Sequence, residues 1–219
     1  MTPSTSGAAT AEPGGRRRHP DLAATLLAHG IELARAGGPE AVSLRDVQRR
    51  AGASHNAAYR HYHDREALLA AISHHAAARM AEAMSAAQEQ AQLATSAADP
   101  HTAAAELARG RFRAIGRAYL DFALTEPGLF RTAFLTDPAP KAHSSQGPDP
   151  FQLLVDALDD MVTAGALAQE RRPFSDIAAW SAVHGLAILL LDGPLRHLDA
   201  LQQAAAINRL LDIVSAGTH

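Results

Sequence analysis

Between Ser43 and Arg65 the chain collects side chains suited to holding nucleic acid. Ser54, His55 and Asn56 stand in a row, with Tyr59, Arg60 and His61 just behind them. Asparagine can pair bidentately with adenine, and serine and histidine can donate to base acceptors or to phosphates. Tyrosine, arginine and histidine carry groups able to reach phosphate oxygens. In the same stretch Arg45, Arg49, Arg50, Arg60 and Arg65 face only Asp46 and Asp64. Ser43 offers a hydroxyl at the front of the segment. Arg65 offers a guanidinium at its back, where a helix start also favours an anion. This bias is local. The whole chain of 219 residues has a formal net charge of −3. Residues 1–75 hold nine arginines against seven acids, and residues 76–219 hold eleven basic residues against sixteen acids. A basic patch on an N-terminal module with an acidic remainder is the footprint of a phosphate-binding surface.

Those side chains need rigid elements to aim them, and the local signals supply them. Ser43 is a good N-cap, Asp46 favours the positive helix end, and Leu44 and Val47 give a short helix stopping at Ala51-Gly52. Ser54 caps a second short helix through Tyr62, and Ala57 and Ala58 are small enough for close packing. Two short helices joined by a glycine turn form a helix-turn-helix. The first lies across the DNA backbone, and the second enters the major groove with its N-terminal residues nearest the bases. Upstream, Pro20 suits a first helical position, and Leu22, Leu26, Leu27, Ile31 and Leu33 predict a helix ending at Gly37-Gly38. Downstream, Asp64 caps a long helix to about Leu93. Residues 1–15 read as a disordered tail, and Arg16-Arg17-Arg18 reads equally as a minor-groove arm or a solvated charge run. The expected division is a tail over 1–18, a DNA-binding domain over 19–65 and a larger helical domain over 66–219.

The remainder is all-α by the same reading. Fifty alanines, scarce β-branched residues and the lack of any period-2 run argue for about nine helices and no strand. Asp99-Pro100, Asp149-Pro150 and Ser175 open later helices, 137–148 reads as a loop, and a last helix runs from Asp199 to Ser215. The chain has no cysteine, which excludes disulfides, thiolate metal sites and cysteine nucleophiles. Twelve histidines show no metal-ligand spacing, since His61 and His63 are two apart and His74 and His75 adjacent. No metal and no cofactor is expected. The longest apolar run, 186–191, is far short of the roughly 20 residues that span a bilayer, so a cytoplasmic chain with no membrane partner is expected. Tyr119, Phe122, Phe130 and Phe134 cluster in a chain that is only 5% aromatic, and read as an effector pocket or as plain core. Trp180 and His184 share one helix face and join the same candidate group, with a structural role for His184 the alternative.

The segment resembles the DNA-binding domain of the tetracycline-repressor (TetR) family of bacterial regulators. The matching positions are Ser43, Arg45, Asp46 and Val47; Arg50, Ala51, Gly52 and Ser54; Tyr59, His61 and Tyr62; and Glu66, Ala67 and Leu68. Ala53, Ala58, Tyr62 and Arg65 depart from the usual residues. The stretches 118–134 and 179–193 resemble the C-terminal domain of one subgroup, marked by Trp180-x-x-x-His184-Gly185. The resemblance implies phosphate contacts from Tyr59, His61 and Arg65, and base reading from the front of the second helix. It implies a transcriptional repressor that binds a pseudo-palindromic double-stranded operator as a homodimer, is released by a small-molecule effector, and catalyses nothing. An effector in the larger domain would shift the helix from Asp64 to Leu93. The last two helices would pair with their mates, with Leu186, Leu190, Leu201, Leu210 and Val214 as packing candidates. The rival readings are a small helical enzyme around His184 and a DNA-binding protein that answers to no ligand.

Overall fold

A computed structural model of the protein describes residues 21–94, 100–134 and 149–216. Among the described residues there are nine α-helices and no strand. They are α1 (Leu22–Gly37), α2 (Leu44–Arg50), α3 (His55–Tyr59), α4 (Arg65–Ala94), α5 (Pro100–Thr125), α6 (Pro127–Ala133), α7 (Pro150–Thr163), α8 (Ser175–Leu191) and α9 (Ala200–Ala216). The expected tail over 1–15, the arginines 16–18 and the loop over 137–148 lie outside the described residues. None of the described helices is long and apolar enough to cross a membrane.

Polar caps set most of the helix starts. Ser43 accepts from the Asp46 N–H, Asp149 from the Phe151 and Gln152 N–H groups, and Asp64 from the Ala67 N–H. Each satisfies a donor that the first turn would otherwise leave bare. Two boundaries differ from the sequence expectation. Asp21 caps α1 by accepting from the Ala23 N–H, so the helix opens at Leu22 and Pro20 lies outside the described residues. α3 stops at Tyr59 rather than Tyr62, because the chain turns so that Tyr62 packs against the core. α8 opens at Ser175 as expected, with Phe174 at the cap position in the left-handed region at φ 63°.

α1 to α3 fold over the first turns of α4 around Leu26, Val42, Leu44, Val47, Ala58, Leu68 and Ile72, all buried. The rest of α4 packs on α5, α6 and α7, and α8 and α9 close the body against α5. α4 therefore belongs to both cores and carries the small N-terminal unit on the large one. α6 is the second bridge. A Cβ on Gly128 would lie 2.1 Å from the Ala34 carbonyl oxygen, so only glycine lets α6 abut the end of α1. Arg35 pairs with Glu126 at 2.7 Å across that contact, and Ser73 of α4 donates to the Ala133 carbonyl at the far end of α6.

Candidate nucleic-acid interface and ligand cavity

α2 and α3 are held at a fixed angle by a turn in which Gly52 has φ +61°. A Cβ there would meet nothing within 4 Å, so the backbone conformation, not space, calls for glycine. α3 buries Ala58 alone, while Ser54, His55, Asn56, Tyr59, Arg60 and His61 are exposed. The side chains of Asn56, Arg60 and His61 make no hydrogen bond or ion pair among the described residues, and Arg45 on α2 is likewise exposed. The His55 and Tyr59 rings stack, with centroids 4.2 Å apart and planes 19° from parallel. Tyr59 is 42% exposed, a large ring left in water by a helix that has a core side to use. The surface is therefore a short row of exposed polar and aromatic groups on and just after α3.

Three expected contact residues are engaged inside the motif. The Ser54 hydroxyl accepts from the Ala57 N–H at 3.3 Å. Ser43 donates to the Asp46 carboxylate at 2.8 Å while accepting from its N–H. This hydroxyl, together with Arg49, holds the Asp46 carboxyl below the ordinary carboxylate range. Arg65 donates through Nε to the Val42 carbonyl at 2.9 Å and through Nη2 to the Pro39 carbonyl at 2.7 Å. Its guanidinium clasps the loop that leads into α2. Local sequence carries no sign of this, because the acceptors lie more than twenty residues upstream.

In the body, the structure gathers five of the six expected pocket residues into one aromatic cluster. Tyr119 meets Phe130 edge-on at 5.6 Å; Phe134 meets Phe130 at 5.2 Å, His184 at 4.9 Å and Trp180 at 6.1 Å. Phe122 is buried but makes no ring contact among the described residues, so it does not belong to the group. Phe151 of α7 does belong, with its ring 4.8 Å from Trp180. The Tyr119 hydroxyl and His184 Nδ1 are 2.8 Å apart. Burial pushes the tyrosine pKa up and the histidine pKa down, so both groups are held neutral. Beside the cluster lies a cavity of about 30 Å³, bordered by Met84, Phe112, Ile115, Tyr119, Trp180 and Leu211 among others. Phe122, Phe130, Phe134 and His184 do not line it. They pack behind its wall as core, and Tyr119 and Trp180 alone border both features.

Four of the five residues expected at a dimer interface are covered within the chain itself. Leu186 and Leu190 turn inward and are buried, and Leu210 and Val214 pack against the same core, with Val214 lining the cavity. Of the five residues only Leu201 is open, at 83%. The exposed apolar residues are instead Phe174, Ile177, Ile188 and Leu189 along α8, with Leu201 and Ile213 on α9. Gly185 sits on the α8 stripe, where a Cβ would meet nothing. α8 is apolar on every side, so its sequence period cannot select a face, and a choice by leucine content falls on the inward one.

Residues 26–72 match the family model of bacterial regulatory proteins of the tetR family, and residues 112–214 match a tetracyclin repressor-like C-terminal domain. The chain belongs to the TetR family. A solved protein of unknown function from Rhodococcus sp. RHA1 superposes with a TM-score of 0.71 at 28% identity, over 92% of this chain and 97% of that one. TetR from Acinetobacter baumannii AYE superposes with a TM-score of 0.55 at 19% identity, over 89% and 94%. A chain from Shewanella sp. PV-4, described as a tetR-family regulator, gives 0.57 at 15% identity, over 88% and 97%. The latter two share the fold. No curated protein matches the chain. As a TetR-family member it is a DNA-binding transcription regulator and not an enzyme, which removes the reading of a helical enzyme around His184.

Proposed function

We propose that this TetR-family chain is a cytoplasmic repressor that binds a pseudo-palindromic operator as a homodimer and is released by a small-molecule effector. The observation that carries the reading is the exposed row on and just after α3, in which His55, Asn56, Tyr59, Arg60 and His61 face water while Ser54 caps the helix. In this reading 19–65 is the DNA-binding domain and 66–219 the effector and dimerisation domain. Ser54, His55 and Asn56 read base edges, with Asn56 suited to adenine. Tyr59, Arg60, His61 and Arg45 bind phosphates and set the register. Ser43 and Arg65 hold the motif in shape. Trp180, His184 and Gly185 mark the C-terminal subgroup, and each has a place to serve: Trp180 at the cavity, His184 bonded to Tyr119, Gly185 on the open stripe.

Two copies joined through the outward stripe of α8 and α9 would set two α3 helices at a fixed separation on DNA. An effector in the body reaches the reading heads through α4 and α6, which touch both units. It shifts the equilibrium only if it binds the released state better than the DNA-bound one. The test is a titration against DNA upstream of the protein's own gene at two salt concentrations. Saturable binding that survives competitor DNA, and weakens as salt rises, is expected. Binding equal to that of random DNA would refute the specific-operator reading.

A further inference from the structure

We infer that the effector is a small uncharged, largely hydrocarbon molecule, admitted to the cavity beside Trp180 and Tyr119. The inference rests on the reading of the chain as a ligand-responsive regulator and adds the chemical class of the ligand. The lining decides the class. The side chains of Met84, Phe112, Ile115, Leu154, Val183 and Leu211 offer no polar atom apart from a thioether sulfur, and among the described residues none that lines the cavity carries a charge. Tyr119 brings the one hydroxyl, which His184 already engages at 2.8 Å. Burial lowers the pKa of that histidine, which disfavours a positive charge at this position. A carboxylate would lose its water with at most the Trp180 indole N–H in exchange, and an ammonium ion would lose its water for no charged partner in the lining, a heavy penalty in either case. An apolar ring loses little and gains contact with Trp180, Phe112 and the aliphatic groups.

The volume decides the size and the consequence. A cavity of about 30 Å³ admits one or two water-sized groups, so the ligand enters by displacing side chains. Met84 is an unbranched thioether able to rearrange, and it stands on α4, the helix shared with the N-terminal unit. Leu211 yields at its far end: a Cβ on Gly116 would already press on Leu211 Cδ2 at 2.8 Å. A ligand that pushes Met84 pushes the helix that bears the reading head.

Trp180 is the only tryptophan of the chain, so its fluorescence reports this site directly. The full chain is titrated with toluene, benzoate and benzylammonium at neutral pH. A saturable change with toluene, with affinity at least roughly tenfold above either ion, is expected from the cost of burying an unpaired charge. Equal or tighter response to either ion, or no saturable response to toluene, would overturn the proposal. Two variants locate the site. Gly116→Ala takes up cavity space and should weaken toluene, whereas Leu154→Ala enlarges the cavity and should strengthen it. If folded variants, checked by circular dichroism, leave toluene affinity unchanged, the site is elsewhere and the proposal fails. DNA titrations keep the two readings apart. Toluene binding that leaves DNA affinity untouched upholds the ligand class and overturns ligand-controlled release. Release of DNA by benzoate and not by toluene does the reverse.

Discussion

α3 and α8 pose the same question with opposite chemistry. Each exposes side chains that an isolated chain has no use for. α3 shows water a row of hydrogen-bonding groups and a stacked His55–Tyr59 pair. α8 shows water Phe174, Ile177, Ile188 and Leu189. A polar row on a small basic module fits phosphates and base edges, whose own water is readily exchanged. An apolar stripe on an acidic body fits a like surface, which a second copy of the chain would supply. In the proposed function the two helices divide the work by polarity, the short one reading DNA and the long one joining the readers.

The largest expected effect comes from breaking the joining helix. Ile188→Asp combined with Leu189→Asp should give monomers in sedimentation and weaken operator binding by on the order of a hundredfold or more, since one half-site loses its tethered mate. Leu190→Ala, on the inward face of the same helix, sharpens the contrast. It should lower unfolding free energy by about 2–5 kcal/mol in denaturant titrations while leaving the chain dimeric. On the reading helix, Asn56→Ala should cost about 1–3 kcal/mol at one base pair per half-site and relax preference there, and Tyr59→Phe should weaken all sequences alike. Binding to a panel of single-base operator variants separates the two. Ser54→Ala removes the α3 cap and should cost about 1 kcal/mol of stability.

The smallest effect is a pH slope. Burial lowers the folded pKa of His184 and of His75, so the unfolded chain takes up their protons first. Stability is full above the ordinary histidine value of about 6.5 and falls as pH drops below it. His184→Gln should flatten the slope measured by thermal melts between pH 7 and 5, leaving the His75 share.

What could be read in advance follows the range of the physics involved. Ser43, Ser54, Asp64 and Asp149 act on N–H groups two or three residues away, so their caps show in the sequence and recur in the structure. The exposed row on α3 is legible for the same reason, because Gly52 and the two caps fix which way it faces. Arg65 is not, since its partners Val42 and Pro39 come close only when the three-helix unit has folded. Phe151 joins Trp180 from another helix, and Phe122 leaves the cluster although three residues from Tyr119. α8 is the plainest failure of periodicity. A helix apolar all round has no stripe, and packing on α5, α7 and α9 decides which side is left over.

In the proposed function two linked copies of α3 read a symmetric site. The most direct test mixes the purified protein with sheared genomic DNA, recovers the bound fragments under competitor and sequences them. Enriched fragments sharing a pseudo-palindrome, with two chains bound per site and degeneracy at one base pair per half-site for Asn56→Ala, are the expected result. Fragments enriched only by length or base composition, with no common symmetric motif, would contradict it.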